Sequence, residues 1–329
     1  MEPIREWGKH RAMSVDHALF RKHLPVFPIV PMHQRGKGSL DLRYENVSQD
    51  GRLAALTLSH AIGAALWRDV LERDPALPTM AAQGILPILT RLAVVTGGGP
   101  IAVRAPIHAE GGFELVRTLD AEGRTRYRVD LFADATGTYG TVWGTPHARA
   151  GEPVALGSVW AEHILTKPFA PPAERTVTEL PLGMVHSRDV SHFVPKSLFS
   201  TKVDWLAEWQ FDVAPIVFGL GHTDSNQHVN SLVYPHLMEQ AALRLLHAHG
   251  LKDVSFVARF EMAYRKPSFA GDELRLRLRL RKTSEGNARV ESIFEDPEGD
   301  ERVFGSMDLV AGFPLGKSFA GFPLGKSSR

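Results

Sequence analysis

Three side chains suited to acid–base and polar chemistry lie two residues apart in the second half of the chain: Asp224, Asn226 and His228. They occupy a polar turn that leads into a predicted helix. A helix N-terminus offers free N–H groups and a positive electrostatic end, and both stabilise a developing oxyanion. Asp224 can orient or deprotonate a water molecule there, while Asn226 and His228 can hold the water or an acyl group. Such a site needs no metal ion, no cofactor and no cysteine.

A purely structural interpretation of this turn stays open. Asp and Asn commonly form turns and cap helices, and a neighbouring histidine is then a bystander. For any one of these residues alone, that interpretation is the better one. For the group as a whole, with Asn230 two residues further on, the density of functional groups favours a catalytic site.

The helix after the turn is predicted over residues 231–249, because apolar residues recur on one face. Pro235 falls in or just after its first turn, and Gly250 suits its end. Strict alternation over residues 254–265 and 273–281 then predicts strands with one buried face. Further strands are predicted at 288–295 and 302–310. One long helix followed by an antiparallel meander predicts an α+β unit in which the sheet curls around the helix.

The first half repeats this order less clearly. A helical pattern at residues 58–71 precedes strand-like runs at 85–95, 101–107, 113–119, 125–133 and 138–143. Ser59-His60 precedes Pro235-His236 by 176 residues, and the same offset sets Ser48, Asp50 and Arg52 against the three polar residues of the second half. Since no equivalent set of functional groups occurs there, we expect the first half to be non-catalytic.

Composition narrows the classes of function. The 329 residues include no cysteine, which excludes disulfides, thiolate-bound metal and a cysteine nucleophile. The 38 Lys and Arg nearly balance the 37 Asp and Glu, so no net charge attracts nucleic acid or an anionic membrane. No apolar run approaches the roughly 18 residues of a membrane span, and no secretory signal is evident. We therefore expect a cytoplasmic protein.

Two segments mark the predicted domain boundaries. Four prolines within residues 166–183 favour an extended linker. The sequence AGFPLGKS occurs at 311–318 and again at 320–327, which is typical of a disordered, duplicated tail. The expected domains are therefore 1–165, a linker at 166–183, a catalytic domain at 184–310 and a tail at 311–329.

Two motifs carry a resemblance to a known family. The first is Asp224-x-Asn226-x-His228-Val229-Asn230, followed on the helix by Tyr234 and Glu239. The second is Tyr264-Arg265-Lys266-Pro267, followed by Gly271-Asp272-Glu273-Leu274. Together, over residues 211–310, they resemble the hotdog-fold thioesterases, especially plant and bacterial acyl-ACP thioesterases. Where that family often has an acidic residue, sometimes followed by cysteine, this chain has Pro267-Ser268.

The resemblance implies a tandem double hotdog, each half a long central helix wrapped by an antiparallel sheet. It implies hydrolysis of an acyl thioester on acyl carrier protein or coenzyme A, in fatty acid or polyketide metabolism. Asp224, Asn226 and His228 would be catalytic, Asn230 and Tyr234 would bind substrate, and the N-terminal hotdog would shape the acyl pocket. The protein would act as a monomeric double hotdog or a homodimer, without nucleic acid or membrane.

A row of arginines on the strand 273–281 offers a further contact. Arg275 and Arg277 belong to a stripe that is more commonly a solvated strand face. In a thioesterase the same guanidinium groups could receive the phosphates of coenzyme A or the acidic helices of a carrier protein.

Other functions stay open on the sequence alone. A hotdog acyltransferase would pass the acyl group to an alcohol or amine, and a hydratase or dehydratase would use a similar Asp and His pair with one more residue between them. A non-catalytic protein that binds acyl thioesters is the alternative of a different class.

Overall fold

A computed structural model describes residues 16–71, 74, 76–119, 123–142, 145–181, 184, 186–190, 204–251, 254–284 and 287–311. The duplicated sequence beyond residue 311 and part of the predicted linker therefore lie outside the described residues. Within the linker, residues 166 and 176 form an isolated bridge, and Pro172–Glu174 form one 3-10 turn.

The N-terminal half contains three short α-helices and the first eight strands. The helices are α1 (Ala18–Arg21), α2 (Ala55–Ile62), which continues as a π-helix over Gly63–Leu71, and α3 (Ala76–Ala82). The strands are β1 (Arg35–Leu40), β2 (Leu86–Thr96), β3 (Ile107–Leu119), β4 (Thr125–Thr138), β5 (Thr141–Val142), β6 (Thr145–Pro146), β7 (Pro153–Thr166) and β8 (Arg188–Asp189). Two 3-10 turns, Met32–Gln34 and Tyr44–Asn46, flank β1.

The C-terminal half is built around one long helix, α4 (Val233–Ala248), which follows a 3-10 turn at Leu220–His222. Its strands are β9 (Ala207–Phe211), β10 (Ile216–Val217), β11 (Val254–Tyr264), β12 (Glu273–Ser284), β13 (Asn287–Glu295) and β14 (Glu301–Ala311). The helix and the four long strands were all predicted from periodicity, and they are confirmed within a few residues of their ends.

Both halves share one continuous sheet, which is antiparallel except for the parallel pairing of β8 with β3. Its order is β1-β3-β4-β7-β2-β11-β14-β13-β12-β10, with β8 paired to β3 and β9 paired to β12. The first five strands and the last five run in mirrored order around the central β2–β11 pair, as expected of two copies of one unit. The double-hotdog expectation of two helix-and-sheet units is confirmed.

The inner face of the sheet packs on the helices. On β12, Leu274, Leu276, Leu278 and Leu280 are at most 2% exposed, while the alternating arginines point to the outer face. The leucines join α4 in one buried apolar cluster that runs through both halves. Burying this continuous face is the main driving force that holds each helix on its sheet.

In the first half one predicted strand is wrong and one strand was missed. Residues 101–106 form no strand, apart from an isolated bridge at Ile101, because Pro100 and Pro106 cannot donate ladder hydrogen bonds; β3 begins at Ile107. Strand β7 was not predicted, because its outward residues Ser158, Trp160 and Glu162 are as buried as its inward ones and no alternation results. No helix among the described residues is long and apolar enough to cross a membrane.

Candidate active site

The predicted polar turn is a tight loop closed by backbone bonds. Thr223 and Val229 form an isolated antiparallel bridge. Inside it, the Asp224 amide donates to the His228 carbonyl at 3.2 Å, and the Gln227 amide donates to the Asp224 carbonyl at 2.9 Å. Gln227 has a φ of 65°, the left-handed conformation that completes the turn. This geometry brings three candidate catalytic residues onto one short loop.

The carboxylate of Asp224 lies at the centre of this loop. Its Oδ1 accepts a hydrogen bond from the Asn226 amide at 2.9 Å, and its Oδ2 accepts one from Asn230 Nδ2 at 3.3 Å. The His228 Nδ1 atom lies 3.9 Å from Oδ1. The two side chains are 28% and 40% exposed, so solvent and a substrate reach both. A carboxylate has about four acceptor positions, which leaves room for a water molecule.

The side chains of Asn226 and His228 have no hydrogen-bond partner. Among the described residues, neither the side-chain carboxamide of Asn226 nor the ring of His228 makes a hydrogen bond to protein. A turn-and-cap interpretation accounts for Asp224 and for Asn230, whose Oδ1 accepts the Leu232 amide at 2.9 Å. It gives no hydrogen-bonding role to the other two side chains, whose catalytic role stays a prediction.

Contacts from the second sequence motif hold the loop in place. The Val229 amide donates to the Ser268 carbonyl at 2.7 Å, and the Tyr264 hydroxyl donates to the Ser231 carbonyl at 2.9 Å. Ser268 lies in the turn between β11 and β12, and Tyr264 is the last residue of β11. The Ser268 side chain is fully buried. Pro267-Ser268 stands where the resembled family often has an acidic residue. In this chain the segment supports the loop through the backbone carbonyl of Ser268.

Tyr234 lies directly below the loop on the first turn of α4. It is 2% exposed and packs edge-on against the rings of Phe218, Tyr264 and Phe294. Burial raises the pKa of its hydroxyl, and a hydrogen bond with Ser268 opposes that shift. Its substrate-binding role, like that of Asn230, stays a prediction.

The backbone amides at the helix entrance are mostly occupied. Those of Val229 and Asn230 donate to the carbonyls of Ser268 and His222. Those of Leu232 and Val233 donate to Asn230, at its Oδ1 and carbonyl oxygens. Among the described residues, the Ser231 amide is left without a hydrogen bond, so it is the backbone donor in this segment that can face an oxyanion.

Glu239 lies further along α4 and is half-buried. Burial raises the pKa of its carboxyl group, with His236 acting in the opposite direction. Among the described residues, no group of three His, Asp or Glu side chains is arranged to hold a metal ion.

Arg275 and Arg277 lie on the outer face of the sheet, opposite the side that packs on α4. Both contact Glu295, at 3.5 and 2.8 Å, and they stack on the rings of Phe211 and Trp209 at 5.0 and 5.9 Å. Both guanidinium groups thus already have carboxylate and aromatic partners. Their role in binding a phosphate or a carrier protein stays a prediction.

The same loop occurs a second time in the N-terminal half, at the offset of 176 residues. Val47 and Leu53 form the isolated bridge. The Ser48 amide donates to the Arg52 carbonyl at 2.8 Å, and Gly51, with a φ of 83°, donates to the Ser48 carbonyl at 3.0 Å. The backbone bonds match those around Asp224 one for one, so the repeat inferred from the order of elements extends to the loop itself.

The Asp50 carboxylate is at the centre of the side-chain contacts in this second loop. Asp50 accepts hydrogen bonds from the Ser48 hydroxyl at 2.7 Å and from the Arg52 amide at 3.2 Å, and its Oδ2 lies 3.2 Å from Arg52 Nε. The Arg52 guanidinium stacks on Phe256 of β11 at 4.7 Å. Through Arg52 the N-terminal loop therefore contacts the C-terminal half. Its carboxylate is held by Ser48 and Arg52, and the loop contains no imidazole.

A cavity of about 690 Å³ lies in the N-terminal half, between the π-helix and the inner face of the sheet. The helix side contributes Trp67, Val70 and Leu71, and the sheet side contributes apolar residues of β3 and β4. His163 of β7 is the buried polar residue of its wall; burial lowers the pKa of this ring to about 4, and the Val129 carbonyl acts weakly against that shift. The residues that line this cavity could not be predicted from sequence patterns, because they come from distant positions between 32 and 184. Its lining does not include the loop around Asp224.

Comparison with known proteins agrees with this geometry. Residues 226–301 match the family model described as Thioesterase superfamily. The match begins at Asn226, inside the loop, and runs through α4 and the strands β11 to β13.

Solved structures show a likeness of fold over most of the chain. An acyl-ACP thioesterase of Bacteroides thetaiotaomicron is 16% identical, with a TM-score of 0.51 over 84% of this chain and 97% of its own. The 12:0-ACP thioesterase of Umbellularia californica is 14% identical, with a TM-score of 0.50 over 87% and 100%. A Lactobacillus plantarum structure named as an oleoyl thioesterase is 13% identical, with a TM-score of 0.55 over 84% and 96%. No curated protein matches. The expected double-hotdog fold is thus confirmed, and residues 226–301 match the expected superfamily.

Proposed function

We propose that this protein hydrolyses an acyl thioester carried by acyl carrier protein or coenzyme A, with Asp224, Asn226 and His228 as its catalytic residues. The observation that carries the proposal is the loop at residues 223–229, which groups a carboxylate, a free amide and a free imidazole at the start of a segment that matches the thioesterase superfamily. The N-terminal copy of the loop keeps the same backbone with Ser48, Asp50 and Arg52 at the three equivalent positions, so the fold alone does not require this set of groups.

The reaction follows from the positions of these groups. Asp224 takes a proton from a water molecule as the water oxygen attacks the thioester carbonyl carbon. The Ser231 amide and the Asn226 side chain donate to the carbonyl oxygen, which becomes negatively charged. The carbon–sulfur bond then breaks, and the thiolate takes up the proton, which His228 can relay. The products are a free acid and the free thiol of the carrier.

The acyl chain is assigned to the cavity in the N-terminal half. A cavity of about 690 Å³ falls within the usual range of roughly 300–1,000 Å³ for small-molecule sites. It lies between a helix and a sheet, and most of its wall is aliphatic or aromatic. This assignment keeps the N-terminal half in the non-catalytic role that its loop residues indicate.

The direct test is to incubate the purified full-length chain with a panel of acyl-CoA and acyl-carrier-protein thioesters and to follow free thiol release. We expect turnover with at least one carrier, and loss of turnover in Asp224→Asn. Transfer of the acyl group to an added alcohol or amine in preference to water would reassign the protein as an acyltransferase. A stable complex without turnover over hours would make it a binding protein.

A further inference from the structure

A proline-rich segment at residues 24–32, which we call the strap, crosses the outer face of the N-terminal sheet. Proline recurs in it at every third position, 25, 28 and 31. Residues 25–31 belong to no helix or strand, and Pro31 has a φ of −58° and a ψ of 159°. These values are close to those of polyproline II, a helix in which residues three apart lie on the same side.

One side of the strap is anchored to the sheet, and another side is exposed. Phe27 and Val30 pack with Phe132 and Trp160 in a second apolar cluster, and the rings of Phe27 and Phe132 are 4.9 Å apart. Three aliphatic residues at the same spacing of three are almost fully exposed: Val26 (88%), Ile29 (93%) and Met32 (78%). Single exposed apolar residues are ordinary, but these three form an apolar ridge on an anchored segment.

Basic residues lie at both ends of this ridge. Residues 17–37 contain no Asp or Glu and four basic residues, which are Arg21, Lys22, Arg35 and Lys37. Arg21 is paired with Asp134 of the sheet, and Lys37 with Glu110 at 3.1 Å. The other two have no carboxylate within ion-pair distance among the described residues. The whole chain is nearly neutral, but the surface around the ridge is therefore locally cationic.

A cavity of about 820 Å³ brings the charges and the ridge to one opening. It lies between the strap and the sheet, and its lining includes Ile29, Arg35 and Lys37. The Nε atom of Arg35 donates to the Val30 carbonyl at 2.8 Å, which leaves the other N–H groups of the guanidinium for a ligand. Cationic groups thus border the same opening as the most exposed residue of the ridge.

We propose that the strap docks this protein on an anionic lipid surface, with the ridge inserted at the boundary between head groups and acyl chains. Lys22, Arg35 and Lys37 then lie against the lipid phosphates. Exposed apolar side chains beside cations are the chemistry of peripheral membrane binding. The local charge governs such binding, so the proposal departs from the expectation that was based on the net charge of the chain.

The strap is poorly suited to a protein partner that adds a strand to it. Its three prolines have no N–H group to donate to a ladder. The exposed ridge also contains no aromatic residue, whereas Trp and Tyr are enriched among the residues that dominate protein interfaces. A lipid surface needs neither backbone hydrogen bonds nor aromatic anchors.

The test is sedimentation of the full-length chain with sucrose-loaded vesicles of phosphatidylcholine, with or without phosphatidylglycerol. We expect binding to be about tenfold stronger when phosphatidylglycerol is present, because several basic residues face the anionic surface. Added sodium chloride should release most of the bound protein, since salt screens charges at the surface.

Variants of the ridge and of the basic residues locate the contact. Val26→Ser and Ile29→Ser should each weaken vesicle binding about five- to tenfold, because each removes an apolar side chain from the lipid. Lys22→Gln and Arg35→Gln should each weaken it about three- to fivefold. The matched control is Val213→Ser: Val213 is also 88% exposed but lies in the C-terminal half, so its change should leave binding unaltered.

No binding to either kind of vesicle, or equal binding to both, would overturn the proposal. So would an equal loss of binding in Val26→Ser and Val213→Ser. A concentration-dependent dimer that dissociates in Ile29→Ser, without vesicle binding, would assign the ridge to a second copy of the chain. These exposed substitutions should leave the midpoint of urea unfolding unchanged. Because vesicle binding is measured without a thioester, absence of thiol release would reject the proposed hydrolysis and leave this proposal in place.

Discussion

The two copies of the loop separate what the backbone does from what the side chains do. Both copies form the same bridge and the same pair of backbone hydrogen bonds. In one copy Asp50 is enclosed by Ser48 and Arg52, with 2% of its side chain exposed. In the other, Asp224 is 28% exposed and lies beside groups that have no other partner. The two loops therefore provide carboxylates in contrasting surroundings for mutagenesis, Asp224 and Asp50, although Asp50 occupies the position equivalent to Asn226.

Replacing each carboxylate by its amide should have opposite consequences. Asp224→Asn removes the proposed base, so we expect thiol release to fall about 10²- to 10⁴-fold while stability to urea changes by less than about 1 kcal/mol. Asp50→Asn breaks a buried ion pair, so it should lower the free energy of unfolding by about 1–3 kcal/mol and leave turnover within about threefold. Equal loss of activity in both variants would contradict the assignment of the site to residues 223–229.

At the scale of secondary structure, the sequence predicts elements whose two faces differ in environment. Helix α4 and strand β12 each bury one face, so their periodicity is visible. Strand β7 is buried on both faces, so its sequence shows no alternation of apolar and polar residues. Likewise, the catalytic candidates are close in sequence and their spacing reveals them, whereas the supporting contacts of Ser268 and Tyr264 depend on where the β11–β12 turn lies in the fold. The cavity and its histidine depend on packing between distant elements, which one sequence does not specify.

Three neighbouring strands of the N-terminal half place like charges side by side. Asp130 of β4 is directly paired with Glu114 of β3 and Glu162 of β7, and all three carboxyl groups are at most 4% exposed. Arg128 donates to Asp130 and to Glu162, each at 2.9 Å. Burial raises the pKa of Asp130 to about 7; Arg128 opposes the shift, and the two glutamates add to it.

The raised pKa makes stability depend on pH in a defined direction. The Asp130 carboxyl binds its proton more tightly in the folded protein than in the unfolded chain, where its pKa is 3.8. Stability should therefore fall as the pH rises from about 4 to about 7, and level off above that. Asp130→Asn should remove up to about 4 kcal/mol of this decline, as measured by urea unfolding across the pH range. An unchanged pH profile in Asp130→Asn would show that this carboxyl does not titrate there.

At the scale of the whole molecule, the two halves are joined by strand pairing and by a buried ionic contact. Strands β2 and β11 pair from Arg259 with Val95 to Ala263 with Arg91. On the outer face, Glu261 accepts hydrogen bonds from Arg91, across the junction, and from Arg259 at 3.1 Å. Glu261 is 7% exposed. Since the sheet and the apolar core both continue through this junction, we expect the two halves to unfold together.

Glu261→Gln measures how much this ionic contact between the two halves contributes to the free energy of unfolding. The substitution removes the negative charge that Arg91 and Arg259 share in a buried ionic contact. We therefore expect the free energy of unfolding to fall by about 2–4 kcal/mol. The control is Glu110→Gln, since Glu110 is 62% exposed and pairs at 3.1 Å with Lys37, itself 76% exposed; that change should stay below about 1 kcal/mol. Chemical denaturation followed by fluorescence and by circular dichroism should give coincident single transitions for both variants. A second transition in Glu261→Gln alone would mean that this contact, and not the continuous sheet, couples the halves.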